Sequence, residues 1–135
     1  MVIMTDAHRG MWKTLGQSFD DALAALPPAL KEEGFGVITE IDMQATLKNK
    51  IGVDFRRYRI LGACNSKFAH EAVSADAQIG LLLPCNVVLY EGDDKKAVLG
   101  VIDPVQQLGA PAGSPHEKLA RDVQARLVRV FDAMK

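Results

Sequence analysis

A chain of 135 residues with 48% apolar and 24% charged side chains has the size and composition of one globular domain built on one core. Its formal net charge of −1 supplies no large field of one sign, which excludes nucleic acid and anionic membrane as partners recruited by charge. Two cysteines are too few for a disulfide framework, so reduced thiols in a soluble, cytoplasmic protein are expected.

The opening MVIMTDAHRG is too short and too polar for a signal sequence, and His8 receives no role. Gly10 to Gly16, with Met11, Trp12 and Leu15, predicts a short first strand. Ser18 followed by Asp21 resembles a capping box with Asp in place of Glu, after which Phe19, Leu23, Leu26 and Leu30 share one helical face. Gly34 suits the left-handed position past the last turn, with Phe35 placed to touch Leu30. Pro27 and Pro28 lack the amide donors of the middle turn, so a kink or break is expected there.

From Phe35 to Asp42 the alternation predicts a strand with Phe35, Val37 and Ile41 on one face and Ile38, Glu40 and Asp42 on the other. Asp42 can cap a short helix carrying Met43, Leu47 and Ile51, ended by Gly52. A strand from about Phe55 to Ala63 leads directly into a helix capped by Asn65 or Ser66, with Phe68, Ala69, Ala72 and Val73 as its apolar residues. Ile79 to Tyr90 is nearly all apolar, but it falls short of the roughly 17 residues of a spanning helix and Pro84 interrupts it, so no membrane span is expected.

Pro84 marks a bulge, an edge or a strand start after Gly80 to Leu83, and Cys85 to Glu91 continues as a strand. Gly92, Asp93 and Asp94 read as the turn of a hairpin whose second strand is Ala97 to Ile102. Asp103 to Gly113 reads as a loop. Ser114, Pro115 and Glu117 then start a last helix with Ala120, Val123, Leu127, Phe131 and Met134 buried and Arg121, Arg126 and Arg129 facing water. No internal repeat and no long linker divides residues 1–135, which form a single domain on this reading.

Chemistry concentrates where each cysteine precedes an asparagine, in LGACN and LLPCNVVLYEG. Cys64, just before a helix start, meets the partial positive charge of unpaired amides, and Lys67 and His70 add to it, which favours a thiolate nucleophile, redox thiol or soft-metal ligand. The plain alternative is a small buried hydrophobe. Cys85 shares its strand face with Val87 and Leu89, which points to burial. If the two cysteines end adjacent strands on one edge, they and His70 could supply ligands to zinc, copper or haem iron, although the spacing matches no standard zinc pattern. Asn65 and Asn86 fit equally well as cap and turn residues.

Glu40 and Asp42 can pair with Lys48, Lys50, Arg57 or Arg59, as an anion site or an acid/base pair, with solvated salt bridges as the commoner outcome. Arg56, Arg57 and Arg59 around Tyr58 are split between two strand faces and lack stacking aromatics, which argues against nucleic acid. His116 receives no role. There is no phosphate loop, nucleophile elbow or paired CxxC motif.

The run EEGFGVITEIDMQATLKNKIGVDFRRYRILGACN, followed by AHEAV, IGLLLPCNVVLYE and IDP, resembles the bacterial and archaeal family called domain of unknown function 302. The likeness extends from Ser18 to Pro104 and over the final helix. It implies an α+β fold grouped with TATA-binding-protein-like domains, an antiparallel sheet of about five strands backed by helices on one face, often as a homodimer. The family's recurring positions fall on Gly34, Phe35, Glu40, Asp42, Lys50, Gly52, Cys64, Asn65, Ala69, His70, Leu83, Pro84, Cys85, Asn86 and Glu91, and no established reaction accompanies them. The resemblance also implies a continuous first helix, from which Pro27 and Pro28 depart. Fold likeness to a DNA-bending protein does not transfer its function.

Three functional readings follow. The first is a dimeric binding module that holds a soft metal, haem or small ligand near Cys64, Cys85 and His70, with Asn65, Asn86, Glu40, Asp42 and Lys50 contributing to the ligand site. The second is an enzyme using Cys64 as a redox or nucleophilic thiol with Cys85 as partner. The third is a purely structural or interaction domain.

Overall fold

The computed structural model describes residues 9–109 and 112–135; the opening residues through His8 lie outside them, as do two positions of the Asp103 to Gly113 segment. The chain forms strand β1 (Met11–Ser18), helix α1 (Phe19–Glu32), β2 (Gly36–Asp42), α2 (Met43–Ile51), β3 (Tyr58–Cys64), α3 (Ser66–Ala75), a 3-10 helix (Ala77–Leu82), β4 (Cys85–Glu91), β5 (Lys96–Val101), α4 (Pro104–Leu108) and α5 (Pro115–Ala133). The strands make one antiparallel sheet in the order β1-β5-β4-β3-β2. This is the expected α+β architecture.

Leu61 and Ala63 of β3, Val87 and Leu89 of β4, and Leu99 and Val101 of β5 alternate onto one face. They pack there with Phe19, Leu26 and Leu30 of α1 and Leu127 and Val130 of α5. α1 is uninterrupted from Phe19 to Glu32. Pro27 and Pro28 are both exposed, so the prolines lie on the outer side of the helix while Leu26 and Leu30 hold the inner side. Ser18 Oγ accepts from Asp21 N at 3.1 Å at the start of α1. At its end Gly34 N and Phe35 N donate to Lys31 O and Leu30 O, both at 3.0 Å, which is the Schellman pairing.

β2 departs from simple alternation. Val37 pairs with Ala63 and Thr39 with Gly62, so Ile38 is an extra residue in a β-bulge. Beyond it the faces exchange: Glu40 lies opposite Leu61 on the helix-covered side, and Ile41 lies opposite Ile60 on the open side. β3 begins at Tyr58, later than expected, and Gly80 to Leu82 belong to the 3-10 helix, so β4 starts immediately after Pro84. The Asp103 to Gly113 segment contains α4: Asp103 Oδ1 accepts from Val105 N at 2.9 Å, Pro104 takes the first turn, and Gly109 closes the helix at φ 57°.

α2 buries none of its residues, and Ile51 is exposed. In α5, Val130 is buried and Phe131 is half-buried beneath Lys13 Nζ. Arg126 and Arg129 do not simply face water, because both hold the end of α1. Arg126 donates to Glu33 O at 3.3 Å and Arg129 Nε to the Glu33 carboxylate at 2.8 Å. Among the described residues no helix is long and apolar enough to cross a membrane.

Candidate functional site

Because β3 and β4 are antiparallel, the end of one adjoins the start of the other, and Ala63 pairs with Cys85. The two Cys-Asn segments, distant along the chain, are thereby brought to one end of the sheet. Beyond that end the chain leaves β3 into α3, and the 3-10 helix returns it to β4. α4 and α5 close the far side.

Between these elements lies a cavity of about 370 Å³ whose wall includes both Cys64 and Cys85. Ala63, Ala69, Ala72 and Ala120 each stop at Cβ, and this leaves the space open. Larger apolar side chains, among them Phe68, Ile79, Leu108 and Leu119, complete the wall. Among the described residues no charged side chain lines it; the polar contributions are Asn65, Gln107 and the two thiols.

Both thiols are free and half-buried. Burial pushes the Cys85 thiol up to about 11, and neighbouring Cys64 adds to the rise. Cys64 directly precedes Asn65, whose Oδ1 faces Phe68 N at 3.5 Å as the cap of α3. The back of Asn65 abuts α1: a Cβ placed on Gly34, at φ +86°, would lie 2.8 Å from Asn65 Nδ2.

The remaining candidate residues lie elsewhere. His70 is exposed on α3 and does not line the cavity. Among the described residues no group of three or more His, Cys, Asp or Glu side chains is arranged to hold a metal ion. Asn86 is exposed on the sheet's open face, and Lys50 is exposed on α2. Glu40 and Asp42 both pair with Arg59, Asp42 at 3.3 Å, and Asp42 Oδ1 also caps α2 by accepting from Ala45 N at 3.0 Å. His116 Nε2 stands 3.8 Å from the Asp76 carboxylate.

The arginines are neutralised locally. Arg57 pairs with Asp20, and Arg56 with Asp93 at 3.1 Å. The expectation that no stacking aromatics accompany them is overturned. Tyr58 stacks on Tyr90 with centroids 5.6 Å apart, Phe55 flanks Tyr58, and Trp12 flanks Tyr90. Strand pairing brings Trp12, Tyr58 and Tyr90 together from distant parts of the sequence.

A family model described as Domain of unknown function DUF302 matches residues 11–134. The chain belongs to the DUF302 family. The match begins with β1 and ends past α5, so the whole cavity lies within the DUF302 domain. Among solved structures, the crystal structure of an uncharacterized conserved DUF302 protein from Bacillus stearothermophilus is similar, with a TM-score of 0.82 and 26% sequence identity. The alignment covers 96% of this chain and 100% of that one. A search of the curated proteins finds no match.

The cysteine end of this site is legible in the sequence, whereas most of its wall is not. α4 had a readable signal in Asp103-Pro104 and Gly109, the cap, first-turn proline and terminal glycine of a helix. The contribution of the 3-10 helix had none, since a short apolar run does not distinguish a strand from a turn of helix.

Proposed function

We propose that this DUF302 domain is a binding module for a small apolar molecule, held between α3, α5 and the Cys64 and Cys85 end of the sheet. One observation carries the reading: a cavity of about 370 Å³ whose wall, among the described residues, is uncharged and predominantly apolar, within the roughly 300–1,000 Å³ of ligand pockets. Burying a ligand's apolar surface there contributes about 25 cal/mol per Å² removed from water. Two free thiols in the wall fit a reducing compartment, the cytoplasm.

The test uses N-phenyl-1-naphthylamine, a neutral probe that brightens in apolar surroundings. Its emission rises saturably with wild type and fails to rise with Ala69→Phe, which fills the cavity from a half-buried position. Ala120→Leu, from the opposite wall, checks that the loss comes from filling and not from unfolding, with circular dichroism as the control on both. Equal emission from wild type and two folded, filled variants overturns the reading.

The uncovered face of the sheet supports pairing with a second copy of the chain. By register Ile41, Ile60, Val88 and Gly100 form one row across it, with the Trp12 ring lying over Gly100. Tyr58, Tyr90 and Val98 form the next row. These rows carry no charge, and beside them Arg56 is paired with Asp93. An uncharged aromatic and aliphatic face finds its complement in its own copy, whereas a polyanion would find no unpaired cation in these rows.

A further inference from the structure

We propose that the cavity captures neutral, apolar α,β-unsaturated carbonyl compounds through addition of the Cys64 thiol. This rests on the cavity being a ligand site, as above, and adds what the ligand is and what happens to it. Two features of the wall select the class.

The first is the absence of charge. With no charged lining side chain among the described residues, an ionised ligand would lose its hydration without gaining a counter-charge, whereas a neutral one loses little. The second is the identity of the nucleophiles. No Ser, Thr, Tyr, Lys or His lines the cavity among the described residues, so the two thiols are its only nucleophilic side chains.

The thiols are not equivalent. Cys85 points with Val87 and Leu89 toward the core, and burial keeps it protonated at neutral pH. Cys64 ends β3 at the start of α3, lines the cavity and stands outside the packed core cluster that Cys85 adjoins. Cys64 is therefore the attacking group.

The chemistry balances without an oxidant. The Cys64 thiol releases its proton to water, and the thiolate sulfur forms a bond to the β-carbon of the carbonyl compound. The C=C π electrons move toward the carbonyl oxygen to give an enolate. A proton from water then adds at the α-carbon. The net change is addition of S–H across the double bond.

Two maleimides sharing one reactive group provide the test: neutral N-phenylmaleimide and anionic 4-maleimidobenzoate. Each rate is followed by intact-protein mass spectrometry and divided by that reagent's rate with glutathione. The expected result is that N-phenylmaleimide labels Cys64 at least about tenfold faster on this scale, the charged reagent being held back by uncompensated desolvation. Ala69→Phe abolishes the preference. Cys64→Ser loses the fast label, and trans-2-nonenal adds once to wild type at the same cysteine. Equal normalised rates, or first labelling at Cys85, overturn the proposal while leaving the binding module intact if the naphthylamine still binds. Failure of the naphthylamine to bind wild type removes the binding reading and the capture built on it.

Discussion

The Cys85 thiol ionises near 9.0 when unperturbed and is pushed up to about 11 in the folded chain, first by burial and then by Cys64. Below pH 9 folded and unfolded chains both hold the proton, so the contribution of this group is fully present. As pH rises toward 11 the unfolded chain releases the proton and the folded chain does not, so stability falls by about 3 kcal/mol. Urea denaturation at about pH 8 and about pH 11 should show a larger loss in wild type than in Cys85→Val, which keeps the shape and removes the proton. Equal losses would show that the thiol is hydrated in the folded state. Burial of Cys85 was legible from its place on the Val87 and Leu89 face. Its proximity to Cys64 was not, because that depends on which strands are neighbours.

Element boundaries show the same division between local and distant information. The cap of α1 at Ser18, its close at Gly34, the start of α2 at Asp42 and the start of α5 at Ser114 all follow local rules, and the chain obeys them. The bulge at Ile38 obeys none that alternation can display, since it is defined by what lies across from it. That single extra residue turns Glu40 and Asp42 to the side of Leu61 and gives Arg59 two carboxylate partners. α1 and α3 meet where Gly34 backs onto Asn65, so the end of one helix braces the start of the other beside the cavity. Gly34→Ala should cost about 1–2 kcal/mol from the left-handed backbone alone, and its methyl should displace the cap of α3. Chemical denaturation measures the first effect. The second appears as weaker N-phenyl-1-naphthylamine binding at a temperature where the variant stays folded; unchanged binding would show that the two helix ends are independent.

For the whole molecule, the uncovered face predicts the assembly. Sedimentation equilibrium should find a dimer in wild type and a monomer in Val88→Asp, because a carboxylate at the centre of the paired faces would be buried without a partner. Naphthylamine binding should persist in the monomer, since the cavity lies at the end of the sheet and not on its open face. A wild type that remains monomeric through the micromolar range would exclude the pairing. The order of the strands also governs how the molecule comes into being. β3, β4 and β5 follow one another closely, but β1 is the partner of β5, and the Gly16 amide donates to the Lys135 carbonyl at 2.7 Å. During synthesis at about 5–20 residues per second, β1 therefore waits several seconds on the ribosome for its neighbour. Throughout that interval Met11, Trp12 and Leu15 stand unshielded, open to capture by chaperones that recognise extended apolar segments.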